Sequence, residues 1–406
     1  MATIAIAWEL GGGLGHLTPL APIVQRLRQS GHDLFAVVRD LSRIDAIYAG
    51  LEVSYLQAPV KISHGADTIE PPRSFAHVLH NSGFSNPVEL AGMAEGWRTL
   101  FRLVDPDLIL FDHSPTALLA ARGGRARRAV IGNGFFCPPD VHPLRDFRPW
   151  MTDPNDPLAV QLATERLRQD EDHVLANVNR VLDRWHLEPL ERLAQLYRDV
   201  DDTFLATFPE LDHYPGRVGG RYYGTWPSSG GRTPEWPNGP GKRIFAYQKP
   251  FAGLRELLTA LRRLGCPTLV YIDGVSPKLR EEFSSPLLHF VSERLDLVAV
   301  GATCDLAILN GGHNVVALML LAGKPSLTIP LNLEQAYNGS SVAKLEAGLG
   351  ALPERPQDFE PTLKVLLTEE KFTAGAQAFA ARYAGHNPEA RIDEITRRLE
   401  ELATTP

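Results

Sequence analysis

Ile4-Ala5-Ile6-Ala7-Trp8 runs into Gly11-Gly12-Gly13-Leu14-Gly15-His16-Leu17-Thr18-Pro19 near the start of the chain. A short apolar run, a glycine-rich turn and a helix-opening Thr-Pro predict a buried strand, a tight turn and a helix. A second such passage lies some 300 residues on. There Leu306-Ala307-Ile308-Leu309 runs into Asn310-Gly311-Gly312-His313-Asn314. Two strand–turn–helix passages predict an α/β chain with two Rossmann-like domains facing across a cleft. Turns of this kind hold phosphate-bearing ligands, because their amides and the helix dipole both favour negative charge.

The chain has 406 residues, enough for two cores. Its 44% hydrophobic and 22% charged residues are ordinary for a globular protein. A net charge of −7 argues against a nucleic-acid partner, whose footprint would be basic. No apolar stretch approaches the roughly 18 residues of a membrane span, and no signal-peptide pattern opens the chain. Cys137, Cys266 and Cys304 are sparse and form no CxxC pair, which fits reduced thiols in a cytoplasm.

Strand and helix patterns alternate through the first half, with strands expected at 3–8, 33–38, 108–111 and 129–132. Thr18 reads as a helix cap with Pro19 at the first helical position. Between 155 and 200, apolar residues recur at helical spacing and predict long helices. Trp226 to Lys242 is rich in Pro, Gly and Ser and reads as an interdomain linker. This divides the chain into 1–225, a linker at 226–242, a second domain at 243–387 and a terminal helix at 388–406. Asp199-Val200-Asp201-Asp202 contains a D-x-D string, but it reads better as a helix end than as a metal site.

The first turn fails the dinucleotide fingerprint G-x-G-x-x-G, since the third glycine is replaced by His16. An imidazole there can act as a general base or simply pack in the turn. Asp112, at the end of the strand 108–111, can orient that imidazole, or cap the helix opening at Ser114-Pro115. Gly13, Asn310, Gly311, Gly312, His313 and Asn314 are candidates for holding a diphosphate. Glu334 and Gln335, just past another strand, can read sugar hydroxyls or cap a helix. His77 to Asn81 stands as a candidate acceptor entrance. Phe135, Phe136, Phe147 and Trp150 can line an apolar acceptor pocket or pack as loop residues.

Taken together, Gly15-His16-Leu17-Thr18-Pro19, Asn310-Gly311-Gly312-His313-Asn314, Gly323-Lys324-Pro325, Pro330, Glu334-Gln335 and Asn338 resemble the inverting glycosyltransferases of the GT-B fold. The nearest resemblance is to the bacterial UDP-glycosyltransferase-like group. It implies a transferase that moves a sugar from a nucleoside-diphosphate sugar, UDP- or dTDP-linked, to a small-molecule or lipid-like acceptor. It also implies His16 as base backed by Asp112, no obligatory metal or further cofactor, and a C-terminal helix that packs back on the N-terminal domain. Asn310 stands where that group carries a phosphate-binding histidine, and Leu318 where plant members carry a ribose-binding carboxylate. An epimerase or hydrolase of the same fold, and a sugar-nucleotide-binding protein without catalysis, are the alternatives.

Overall fold

The computed structural model describes residues 1–405 except 13–14, 63–66 and 228–229. The chain forms two compact units. The first comprises Met1–Thr207, Tyr214–Tyr223 and the chain from Glu389; the second comprises Phe208–His213 and Gly224–Pro388.

The first unit is built on six parallel strands: β1 (Thr3–Trp8), β2 (Asp33–Val38), β3 (Ser54–Gln57), β4 (Leu108–Asp112), β5 (Arg127–Gly132) and β6 (Asp202–Leu205). Their order in the sheet is β3-β2-β1-β4-β5-β6. The second unit carries β7 (Ile244–Gln248), β8 (Thr268–Ile272), β9 (Leu288–Val291), β10 (Leu306–Leu309), β11 (Ser326–Thr328) and β12 (Gly348–Gly350). Its order is β12-β11-β10-β7-β8-β9. Read from the other edge this is the same permutation, with the first and fourth strands of each unit adjacent at the centre. That pair is the switch point, where the chain begins winding in the opposite direction. In open α/β sheets, ligands bind in the crevice beyond the carboxyl ends of such a pair.

The apolar runs make these strands for a simple reason. A parallel sheet is covered on both faces, so its strands are buried throughout. Ile4 to Trp8 and Leu306 to Leu309 are all at most 2% exposed. The long helix Pro157–Arg184 is held at its start by Asp156, whose side chain accepts from the amides of Leu158 and Ala159. The helix Leu254–Leu264 buries Leu254, Leu257, Leu258 and Leu261 on one face, at the spacing a 3.6-residue turn dictates.

Several element ends differ from the sequence reading. The helix after the first turn spans Leu17–Gln29 with His16 at its N-cap, so Thr18 lies inside the first turn and is not the N-cap residue. The stretch 226–242 belongs to the second unit rather than to a free linker, and Trp226 is 2% exposed. The D-x-D carboxylates are neutralised by arginines. Asp199 pairs with Arg122 and Arg198, Asp201 with Arg127, and Asp202 with Arg221 and Arg398. The basic run 122–128 therefore spends much of its charge inside the first unit rather than on solvent.

The last helix, Pro388–Thr404, buries Ile392, Ile395, Leu399 and Leu402. From Glu389 on it belongs to the first unit, where Arg26 pairs with Glu389 and Asp393 and Asp202 with Arg398. Burying four such side chains contributes about 1.5–3 kcal/mol each, against at most about 1 kcal/mol for an exposed ion pair. Apolar packing therefore holds the helix, and the arginines fix its register. Among the described residues, no helix is long and apolar enough to cross a membrane.

Candidate functional site

In the first unit the switch point joins β1 and β4, with Trp8 opposite Asp112. The turn leaving β1 delivers His16, and β4 ends on Asp112. The two side chains meet there, with His16 Nδ1 3.0 Å from Asp112 Oδ2. A carboxylate on Nδ1 selects the tautomer that carries its proton there, which puts the lone pair on Nε2. The ring is otherwise held by aromatics. Trp8 stacks on it at 5.3 Å and Phe136 lies at 5.6 Å. Gly11 has φ +81°, and a Cβ there would land on His16 Nε2. The first glycine of the turn thus makes room for the imidazole itself.

Asp112 is 4% exposed. Burial raises its pKa, and His16 beside it opposes that rise. An acid in this setting is held ionised largely by its partner and gains most when the imidazole becomes charged. His113 follows in a left-handed conformation with φ +45°. Its ring stacks on Phe136 at 4.6 Å, 5.8 Å from His16. Burial, and then repulsion from His16 and Arg39, holds His113 well below the usual histidine range, so it stays neutral. The helix Pro115–Ala120 is not capped by Asp112 or by the Ser114 side chain. Its cap comes from Glu9, which accepts from the Thr116 amide at 2.9 Å and the Thr116 hydroxyl at 2.5 Å.

In the second unit the switch point joins β7 and β10, which end on Gln248 and then Asn310. Asn310 spends its amide inside the unit. Its Nδ2 donates to Gln248 Oε1 at 2.8 Å and to the Ile329 carbonyl at 3.0 Å, while its Oδ1 accepts from the Lys249 amide at 2.6 Å. It ties three strand ends together, which corrects the expectation that this side chain is held out as a donor. Gly311 has φ +89°, and a Cβ there would lie 2.7 Å from the Gln335 carbonyl oxygen. Asn338 Nδ2 donates to the Gly311 carbonyl at 2.8 Å. Gly312 is the N-cap of the helix His313–Leu321, and a Cβ built there meets nothing within 4 Å. The amides that open this helix have no earlier carbonyl to bond within it.

His313 is 9% exposed, and burial pushes its pKa down to about 4 against the pull of Asp212. It is neutral near pH 7. Asn314 Oδ1 accepts from the buried Thr225 hydroxyl. Gln335 Oε1 accepts from the Leu331 amide at 2.8 Å, while the Gln335 amide donates to Asn332 at 3.0 Å. This reciprocal pair caps the helix Leu333–Lys344, the alternative that the sequence left open. Glu334 is half-buried one residue before it. Gly13 lies outside the described residues.

Two other groups of sequence candidates turn inward. His77 is 3% exposed, accepts from the Arg73 amide and meets Asp170 at 3.1 Å, while Asn81 bonds the amide and carbonyl of Ile69. These two side chains brace the neighbouring loop. Phe135 and Phe147 stack on each other in the core, and Trp150 is 64% exposed. Only Phe136 of that set reaches His16. Sequence reading missed Glu9, Trp8, Asp212 and Thr225. Glu9 stood beside the turn as a lone acid in an apolar run, and that was its only signal. Among the described residues, no three His, Cys, Asp or Glu side chains converge as a metal-binding set.

No protein-family model matches the chain. A rhamnosyltransferase of PGL/p-HBAD biosynthesis from Mycobacterium bovis is 24% identical over 317 residues, covering 74% of this chain and 68% of the relative. The glycosyltransferase VinC, solved with dTDP, superposes with a TM-score of 0.70 at 14% identity, covering 99% of both chains. The spinosyn rhamnosyltransferase SpnG gives 0.68 at 15% identity, covering 99% of this chain and 100% of that one. Two six-stranded parallel sheets of like order and full-length superposition on these enzymes establish the architecture: the chain has the GT-B fold of glycosyltransferases.

Proposed function

We propose that this protein is an inverting glycosyltransferase that moves a sugar from a nucleoside-diphosphate donor to an acceptor hydroxyl. The observation that carries this reading is the His16–Asp112 pair at the first switch point, whose contact on Nδ1 puts the basic lone pair of the neutral ring on Nε2. The acceptor hydroxyl gives its proton to Nε2 as its oxygen attacks the anomeric carbon. The bond from that carbon to the diphosphate oxygen breaks on the opposite face, and configuration inverts. Asp112 stabilises the imidazolium that forms, because a buried carboxylate gains most from a new positive neighbour.

The donor diphosphate belongs to the second unit. The opening amides of the helix His313–Leu321 and the glycines at 311 and 312 supply its hydrogen bonds, and the helix dipole favours its charge. Gly312 offers open backbone, and neutral His313 serves as an uncharged donor or acceptor. Glu334, half-buried in the first turn of the helix Leu333–Lys344, is the side chain we assign to the sugar hydroxyls. VinC was solved with dTDP and SpnG with thymidine diphosphate, which favours a thymidine diphosphate donor here.

Thermal stabilisation by dTDP, UDP and GDP, with NAD as control, tests the donor site. Ligand at about 100 times its dissociation constant adds about 2.7 kcal/mol. A shift with dTDP and none with NAD is expected. Incubation with a dTDP-sugar and no acceptor should leave the donor intact, and rapid release of free sugar would instead mark a hydrolase. Absence of any shift with all three diphosphates would overturn the donor assignment.

A further inference from the structure

Glu9 is a buried carboxylate that the reaction as written does not use. It is 1% exposed, and burial pushes its pKa up to about 7. Ser114 stands at the N-cap of the following helix, yet its hydroxyl bonds back to the Asp112 carbonyl at 3.2 Å and caps nothing. The fold has instead buried an acid from another strand, at a cost in desolvation, to do what a local side chain does cheaply. Such an expense is explained when the bond serves to join two pieces of chain.

The two pieces are those that carry the catalytic pair. Glu9 is the first residue after β1, next to Trp8, the ring that stacks on His16. Its Oε2 accepts from the amides of Thr116 and Ala117 at 2.9 and 3.3 Å, and its Oε1 accepts from the Thr116 hydroxyl at 2.5 Å. Leu10 adds a parallel tie, its amide donating to the His113 carbonyl at 2.9 Å. Between these ties lie Ser114 and Pro115, directly after Asp112 at the end of β4 and His113 in its left-handed conformation. That short segment would relax if its far end were released.

We propose that Glu9 is a positioning residue that holds the turn after β4 so that Asp112 stays on His16 Nδ1. This rests on the reading of His16 and Asp112 as a functional pair. The role is one of geometry and not of charge. A glutamine at position 9 can accept from both amides through its oxygen and donate to the Thr116 hydroxyl through its NH2. A leucine can do neither and leaves both amides buried without partners.

The test follows the His16 imidazole by NMR in the full chain, with its signal assigned by its loss in His16→Ala. Asp112→Asn should lower the His16 titration midpoint by about one pH unit, since the imidazolium loses its carboxylate. Glu9→Leu should lower it by about half as much or more, while Glu9→Gln stays near wild type. In an Asp112→Asn background, Glu9→Leu should add nothing, because it acts through Asp112. Thr116→Val, which removes one tie and leaves the carboxylate in place, should give an intermediate shift and covers the case in which Glu9→Leu does not fold. An unchanged His16 midpoint in Glu9→Leu or in Thr116→Val, despite a lowered melting temperature, would leave Glu9 a structural cap and overturn the proposal. An equal shift in Glu9→Gln would overturn it in favour of charge. If Asp112→Asn itself moved nothing, the failure would belong to the pair and not to Glu9.

Discussion

The two switch points occupy the same place in the same strand permutation, yet they spend their side chains differently. At the first, the turn leaving the central strand pushes an imidazole onto a carboxylate from the neighbouring strand. At the second, the neighbouring strand ends answer one another, Gln248 with Asn310, and close the seam between them. What the second turn has left to offer is backbone, at Gly311, Gly312 and the opening of the helix. One half therefore presents an imidazole–carboxylate pair and the other the opening amides of a helix. The chemistry of each half is set by which groups the strand ends consume.

The largest expected break in this comparison is His16→Ala. Loss of a general base should lower turnover by about 10²- to 10⁴-fold. The dTDP dissociation constant should stay within about twofold, because the amide cradle is untouched. Steady-state rates and calorimetry check the two halves separately. Retained turnover would remove His16 as the base.

Acidity sharpens the contrast next. His313 has an ordinary value of 6.5 and is held near 4. Between those values the unfolded chain takes up a proton that the folded one refuses, so the second unit loses stability as pH falls from 6.5 to 4. Glu9 behaves in the opposite sense. Its ordinary value of 4.5 is raised to about 7, so the folded first unit holds a proton that the unfolded chain releases. Its stability therefore falls as pH rises from 4.5 to 7. Each effect amounts to about 3 kcal/mol over its window. Denaturant unfolding at pH 4.5, 6 and 7.5 should show the slopes, with His313→Gln flattening one and Glu9→Gln the other. Slopes unaltered by these substitutions would contradict the assignment.

Gly311→Ala should cost about 2 kcal/mol, because position 311 has φ +89° and its Cβ would press on the Gln335 carbonyl. It should also weaken dTDP binding while leaving the His16 titration unchanged. The smallest effect is that of Asn310→Ala. It strands the Lys249 amide and the Gln248 carboxamide, and should lower stability by about 1 kcal/mol as read from the urea midpoint. If Asn310→Ala instead abolished dTDP binding with stability intact, the side chain would be a ligand contact and the contrast between the halves would be wrong.

Much of this was legible in the sequence where local pattern governs it. The runs 4–8 and 306–309 are strands because continuous apolar residues suit a sheet covered on both faces. His16 could be paired with Asp112 because one lies in the turn leaving a strand and the other ends a strand. Glu9 could not be read, since its partners lie more than a hundred residues away and an acid beside a glycine turn looks like solvent. Asn310 was misread for a related reason. Its residue type suits a phosphate, and only the neighbouring strand ends show that its hydrogen bonds are already taken. The helix start at Leu17 was placed late because Thr-Pro is a strong local signal.

Gly11 carries a further consequence. A run of three glycines at 11–13 is ordinarily read as slack in the chain. At position 11 the missing methyl group is a reserved volume, already filled by the working end of the imidazole. The smallest change available there, the addition of one carbon, would displace the imidazole while leaving both His16 and Asp112 in the sequence. An inventory of polar groups would pronounce such a variant intact, although a single added atom had moved its imidazole off Asp112.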